Sequence, residues 1–218
     1  MMQLIMLGAP GTGKGTQGKL LSEHYHISNI STGDILRAAI EKRTDLGNKA
    51  RTFMERGELV PDDVMIGLIQ QRLTDADCEN GFILDGFPRT VAQAVALDHY
   101  LENLSKPVNA VLALEVPESE IITRLTSRRV CRNCGKDYNV ITNPAPSDNK
   151  CEVCKGDVVQ RGDDTEDTVK RRLKVYDEKT MPLQRYFKKQ GKLKIFEATG
   201  TIAEIQSRIR YFLDNEAR

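Results

Sequence analysis

Gly8-Ala9-Pro10-Gly11-Thr12-Gly13-Lys14-Gly15-Thr16 follows directly on the apolar run Gln3–Leu7 and opens a helical pattern through Gln17, Leu20 and Leu21. Glycines in such a loop let backbone N–H groups converge on phosphate oxygens, and the helix start behind them adds a favourable dipole. A lysine at position 14 reaches the outer phosphates of a nucleoside triphosphate. The stretch departs from GxxxxGK[ST] in one respect: Gly15 follows Lys14, and the hydroxyl is delayed to Thr16. A plain glycine-rich turn would need neither the lysine nor a place behind a buried strand. The stretch therefore reads as a phosphate cradle at the head of an α/β fold.

Outward from the cradle, short apolar runs alternate with helical patterns, as in βαβ units built on a parallel sheet. The runs are Phe82–Leu84, Ala110–Val116 and Leu193–Phe196, with a weaker one at Ile27–Ile30. They are nearly unbroken rather than alternating, as expected of strands covered on both faces. Thr90–Glu102 and Val169–Lys189 read as helices; in the second, Val169, Leu173 and Tyr176 recur at helical spacing behind Asp164, Glu166 and Asp167. The fold class expected is α/β, a doubly wound core around five parallel strands.

The segment Val130–Asp164 breaks this rhythm, with two prolines, little apolar periodicity and four of the five cysteines. A loop-rich insertion of that length needs its own staple. Cys131-x2-Cys134 and Cys151-x2-Cys154, separated by sixteen residues, have the two-knuckle spacing of a tetrahedral four-cysteine zinc site. Iron is the next choice and disulfides the third. Four thiolates would close the coordination sphere, making the metal structural. Gly135 and Gly156 supply the small residues that tight knuckles prefer, while Cys78 stands apart as an ordinary semi-buried residue.

The chain has 218 residues and a net charge of +1, from 32 Lys+Arg against 31 Asp+Glu. That balance argues against a general nucleic-acid or membrane-surface binder. No run approaches the ~18–20 apolar residues of a membrane span. The N-terminal stretch lacks the basic region of a signal peptide. With cysteines spaced for metal rather than disulfides, the expectation is a cytoplasmic protein.

Phe82-Ile83-Leu84-Asp85-Gly86-Phe87-Pro88-Arg89 places an acid at the end of a strand, where α/β sheets bind ligands. Asp85 is thus a candidate for Mg²⁺ held through water, a turn or cap residue being the alternative. Arg89 beside it tips the reading towards a site.

At this point the residues resemble the adenylate kinase family. The blocks that carry the resemblance are GAPGTGKGTQ (8–17), STGDILR (31–37), DGFPRTVAQ (85–93), RRVC (128–131) and QRGDD (160–164) followed by Arg172. They lie in family order and cover nearly the whole chain. The resemblance implies reversible transfer of the ATP γ-phosphoryl to AMP, giving two ADP, with Mg²⁺, by a monomer serving adenine-nucleotide homeostasis. It implies a core of residues 1–30, 61–126 and 165–218, a helical AMP-binding insertion over 31–60 and a zinc-bound lid over 127–164.

Carried over by resemblance, Gly11, Thr12, Gly13, Lys14, Gly15 and Thr16 would hold the ATP phosphates. Arg124, Arg128, Asp137 and Tyr138 would also meet ATP. Thr32, Arg37, Glu58, Leu59, Val60, Gly86, Phe87, Pro88, Arg89 and Gln93 would hold AMP, and Arg161 and Arg172 would close over the phosphates. At the C-terminal adenine contact this chain reads Phe196-Glu197-Ala198-Thr199-Gly200, about two residues longer than the family's step, which places the contact at Gly200 or Ile202. Phosphoryl transfer asks mainly for positioning and charge stabilisation, so Lys14 and arginines 37, 89, 128, 161 and 172 form the catalytic set. Bidentate arginine suits phosphate oxygens better than lysine.

Two competing readings have discriminators in the sequence. A zinc-ribbon nucleic-acid binder would need a basic, aromatic surface around the knuckles, where Lys136, Tyr138 and Lys150 stand against Asp137 and Asp148. A kinase for another monophosphate is opposed by Thr32 and Gln93, since glutamine offers adenine both a donor and an acceptor.

Overall fold

The computed structural model describes residues 2–216. The chain runs β1 (Met2–Leu7), α1 (Lys14–Tyr25), β2 (Ser28–Ser31), α2 (Thr32–Glu41), α3 (Asp45–Arg56) and α4 (Asp62–Arg72). It continues through β3 (Gly81–Asp85), α5 (Val91–Asn103), β4 (Ala110–Glu115), α6 (Glu118–Thr126), β5 (Arg128–Cys131), β6 (Asp137–Asn139) and β7 (Val158–Val159). It closes with α7 (Glu166–Val175), α8 (Pro182–Lys189), β8 (Leu193–Glu197) and α9 (Ile202–Asn215).

Five strands form a parallel sheet in the order β2-β3-β1-β4-β8, the expected doubly wound core. The period of two along β1 divides its side chains between two apolar layers. Ile5 and Leu7 join Leu84, Val111, Leu97 and Phe187 on one face. Leu4 and Met6 join Ile83, Leu112, Leu21 and Ile209 on the other. Helices cover both faces, which explains the near-continuous apolar runs of the central strands. The edge strand β8 departs from this expectation. Among the described residues it pairs only with β4, and Ile195 is half exposed.

The helical stretch expected over Val169–Lys189 is present but not uniform. Between α7 and α8 the chain widens into a π-helical turn, Tyr176–Thr180, with the Met181 N–H bonded to Tyr176 O at 2.9 Å. Pro182 has no N–H to offer the preceding turn, and its ring needs the room that the widened turn provides.

Residues 32–56 form α2 and α3, packed so closely that a Cβ at Gly47 would sit 2.1 Å from Ala39 O. Leu36 and Ala50 reach the same core layer as Ile5. Beyond α6, β5 pairs antiparallel with β6 and β7 in a small second sheet. Its buried apolar content is slight: Val130, Cys131, Tyr138, Cys151 and Val158, with Ala145 packed against the cysteine cluster.

Candidate active site

The carboxyl ends of β1, β2 and β3 open into one cleft of about 930 Å³. The sheet order reverses about β1, so the loops leaving β1 and its neighbours diverge there and leave a crevice. Gly8 fits only as glycine: its φ is 142°, and a Cβ would lie 2.5 Å from Leu114 O and 2.7 Å from the Thr12 hydroxyl. The cradle thereby lies close against β4. Gly11, Thr12, Gly13, Lys14, Gly15 and Thr16 all line the cleft.

Lys14 lies half-buried at its floor and donates to Gly8 O and Ala9 O, each at 2.8 Å. Burial lowers its ammonium to about 8, with help from Arg89, Arg172 and Arg128 and against the pull of Asp85. Asp85 ends β3 in register with Met6 of β1. Burial pushes its carboxyl up, although Lys14 and Arg89 draw it down.

Five arginines converge on the same space. Arg89 Nε donates to Gly86 O at 2.8 Å, and its own carbonyl accepts from the Thr180 hydroxyl at 2.9 Å, so the π turn braces it. Arg37 pairs with Asp34 at 2.6 Å. Arg128 and Arg172 share Asp164, and Arg172 also meets Asp163. Arg161 faces Asp137 at 3.5 Å, and its Nε is buried without a partner. Burial and then the neighbouring Arg172 hold Arg89 down at about 10. Burial, Arg128 and Arg37 do the same to Arg161, also at about 10. Cations packed so that they oppose one another's charge are suited to a polyanion.

The residues that the resemblance assigns to AMP divide. Arg37, Leu59, Gly86, Pro88 and Arg89 line the cleft. Thr32, Val60, Phe87 and Gln93 are buried in its wall. Thr32 Oγ1 donates to Gly86 O at 3.0 Å, and the Glu58 N–H is taken by Phe53 O. Gln93 accepts from the Arg89 N–H at 2.7 Å and donates to Asp62 at 2.7 Å.

Among the residues that the resemblance assigns to ATP, Arg124 forks onto Glu120 Oε1 and also reaches Ala198 O at 3.1 Å. Gly200 lines the cleft in a left-handed conformation, φ 101°. Gln17 Nε2 ties Ile202 O to α1 at 3.0 Å. Asp137 and Tyr138 also line the cleft, but the Tyr138 hydroxyl points into the cysteine cluster, donating to Cys151 at 3.3 Å and accepting from the Glu152 N–H. Lys19 of α1 donates to Gly135 O and faces Asp137, drawing the small sheet onto the cradle helix.

The sulfurs of Cys131, Cys134, Cys151 and Cys154 all lie within 4.8 Å of one another, a spacing that fits one tetrahedral ion. Each knuckle closes with a backbone bond, Gly135 N–H to Cys131 O and Lys155 N–H to Cys151 O. In the second knuckle the left-handed residue is Lys155 rather than a glycine. Gly156 serves a different need, since a Cβ there would meet the Asn133 side chain at 2.6 Å.

Four acids do more in the site than the sequence suggests, where only Asp164 stands out, as a helix-start residue. Asp34, Asp62, Asp163 and Asp164 each orient a cation or amide across a turn or between elements. Asp163 and Asp164 lay inside the QRGDD block, but only the fold shows Asp164 wholly buried between two arginines.

A family model described as adenylate kinase matches residues 6–192. The chain is 52% identical over 213 residues to an adenylate kinase of Archaeoglobus fulgidus, covering 98% of both. It is 52% identical over 208 residues to one of Geotalea daltonii, covering 95% of this chain and 97% of that one. It is 49% identical over 215 residues to one of Clostridium botulinum, covering 99% and 100%.

Proposed function

The chain belongs to the adenylate kinase family, and from that premise we propose how its cleft carries the reaction. The activity is transfer of the ATP γ-phosphoryl to AMP, giving two ADP. The observation that supports the assignment of roles most strongly is the crowd of Lys14, Arg37, Arg89, Arg128, Arg161 and Arg172 around one cleft.

In this reading the Gly11–Thr16 backbone and Lys14 hold the ATP phosphates, with Arg124 towards the adenine and Gly200 beside it. Asp137 and Tyr138 complete that wall. Arg37 and Arg89 clamp the AMP phosphate from opposite elements, so that its oxygen faces the transferring group in line. Thr32, Glu58, Leu59, Val60, Gly86, Phe87, Pro88 and Gln93 shape the rest of the AMP pocket. Arg128, Arg161 and Arg172 spread over the oxygens whose charge changes during transfer. Because their acid partners fix these guanidinium groups beforehand, little reorganisation is needed at the moment of reaction.

Asp85 is suited to Mg²⁺ held through water, since burial raises its carboxyl and a cation beside it would offset that cost. When bound with ATP, the ion neutralises phosphate charge. The four-cysteine cluster is suited to structural Zn²⁺, its thiolates filling the coordination sphere. The wall and the acceptor pocket correspond to a lid over 127–164 and an AMP-binding insertion over 31–60, set on a core of 1–30, 61–126 and 165–218.

We place the protein in the cytoplasm, as its thiolates require a reducing compartment. Among the described residues no helix is long and apolar enough to cross a membrane. A monomer suffices, since one chain supplies every cation of the site. Nucleic acid is not expected as a partner: Lys136 is paired with Glu152 and Lys150 with Asp157. The test is phosphorylation of AMP, UMP, CMP and GMP with ATP as donor. AMP should be preferred by kcat/KM, and a pyrimidine or guanine preference would overturn the acceptor assignment.

A further inference from the structure

Asp62 begins α4 and Gln93 lies in the first turn of α5, and the two side chains meet at 2.7 Å, Nε2 to Oδ1. The other carboxylate oxygen of Asp62 accepts from the Thr90 hydroxyl at 2.8 Å. On the opposite side of the amide, Gln93 Oε1 accepts from the Arg89 N–H at 2.7 Å. A carboxylate can only accept and a backbone N–H can only donate. The two partners therefore dictate which end of the amide is oxygen and which is nitrogen, with Thr90 holding Asp62 in place.

A free glutamine amide can turn over. Turned one way it offers an acceptor to an exocyclic amine and a donor to a ring nitrogen, the complement of adenine. Turned the other way it complements a 6-keto purine, whose ring N–H donates and whose keto oxygen accepts. Gln93 has one donor hydrogen and one lone pair left after its two fixed bonds.

We propose that Asp62 is a positioning residue for acceptor-base selectivity: it locks the Gln93 amide in the one orientation that favours a 6-amino purine monophosphate over a 6-keto one. The inference rests on the reading above that Gln93 faces the AMP base. Asp62 touches no substrate itself. It acts by making the turned-over amide lose its bonds to Asp62 and Arg89 together. The lock gives a carboxylate a reason to stand in this half-buried network, where a neutral amide of the same shape would fill the space equally well.

The experiment compares AMP with inosine monophosphate as acceptors, by kcat/KM, in the wild type and in Asp62→Asn, Asp62→Glu and Gln93→Leu. An asparagine can donate or accept, so it removes the Asp62 half of the constraint and leaves only the Arg89 N–H opposing the turned-over amide; glutamate keeps an acceptor-only group. We expect Asp62→Asn to narrow the AMP preference by about tenfold, the worth of roughly one hydrogen bond gained or lost. The change should lie in KM for AMP rather than in kcat. Asp62→Glu should retain more of the preference than Asp62→Asn, although asparagine is the closer match in shape. A role in filling space at the start of α4 predicts the reverse order, and that order would overturn the proposal. So would an unchanged preference in Asp62→Asn. If Gln93→Leu alters neither KM for AMP nor the preference, the placement of the base at Gln93 is wrong, and the lock falls with it.

Discussion

Arg128 and Asp164 form a two-bonded fork, Nε to Oδ2 at 2.8 Å and Nη2 to Oδ1 at 2.6 Å, although 36 residues separate them. The fork ties the start of β5 to the residues before α7, closing the base of the small zinc-suited sheet against the core. Asp164 is fully buried, and Arg172 also donates to it at 3.2 Å. Removing the acid leaves two guanidinium groups without their shared partner. Asp164→Ala should therefore cost about 3 kcal/mol, in the range for breaking a buried ion pair, and lower the Tm by roughly 6–12 °C. Calorimetry checks the stability, and kcat should fall as well because both arginines lose their orientation. A Tm within a degree of wild type would show the fork to be incidental.

Lys14→Met should lower kcat by about 10²-fold or more while leaving the fold intact, since the lysine's charge serves the transferring phosphoryl group. Lys14 titrates near 8, so its charge is lost as the pH rises through that value. In the wild type kcat/KM for ATP should decline above about pH 8, and Lys14→Met should lack that inflection. Stability moves in the opposite sense. Between about 8 and the ordinary value of 10.5 the unfolded chain holds more protons than the folded one, so this group's contribution rises with pH there. A pH–rate profile beside a pH–melting series separates the two trends.

Arg37→Ala and Arg89→Ala should weaken AMP binding far more than ATP binding. The two groups approach the cleft from α2 and from the loop after β3, whereas Arg124 approaches it from α6. Isothermal titration with each nucleotide alone reads this directly. Equal losses for both nucleotides would mean that the two pockets have been assigned the wrong way round.

Chelation, or the double variant Cys151→Ser/Cys154→Ser, should release a metal ion and lower the Tm. The second sheet buries only a handful of apolar side chains, so the ion should supply most of its order. ATP KM should rise, because Tyr138 and Asp137 stand between the cluster and the cleft. A measurable kcat should remain, as Lys14, Arg37 and Arg89 lie outside that sheet. Metal content by mass spectrometry, a melting curve and kinetics form one experiment. Loss of turnover with unchanged melting would make the ion catalytic rather than structural.

By itself the sequence determined the parallel α/β core, the cradle behind β1 and the paired cysteine knuckles. Each depends on local chemistry: a run of apolar residues, a glycine that must adopt a positive φ or lie against a strand, two cysteines spanning one tight turn. Gly8 was legible for that reason, because its backbone angle and its approach to Leu114 O tolerate no other residue. The tertiary structure alone decided how the charges and amides are partnered. The arginines could be enumerated from the motifs, but Asp164 between Arg128 and Arg172 depends on the closure of a 36-residue excursion. The helix expected through Tyr176 continues there as a π turn whose Thr180 braces Arg89, 91 residues away. Tyr138, placed by motif at the nucleotide, turns its hydroxyl to Cys151, and Gln93 has its amide set by Asp62 on another helix. Periodicity and turn chemistry act over a few residues and are written along the chain. Hydrogen-bond partnership depends on which distant groups the fold brings within about 3 Å, and only the packed structure decides that.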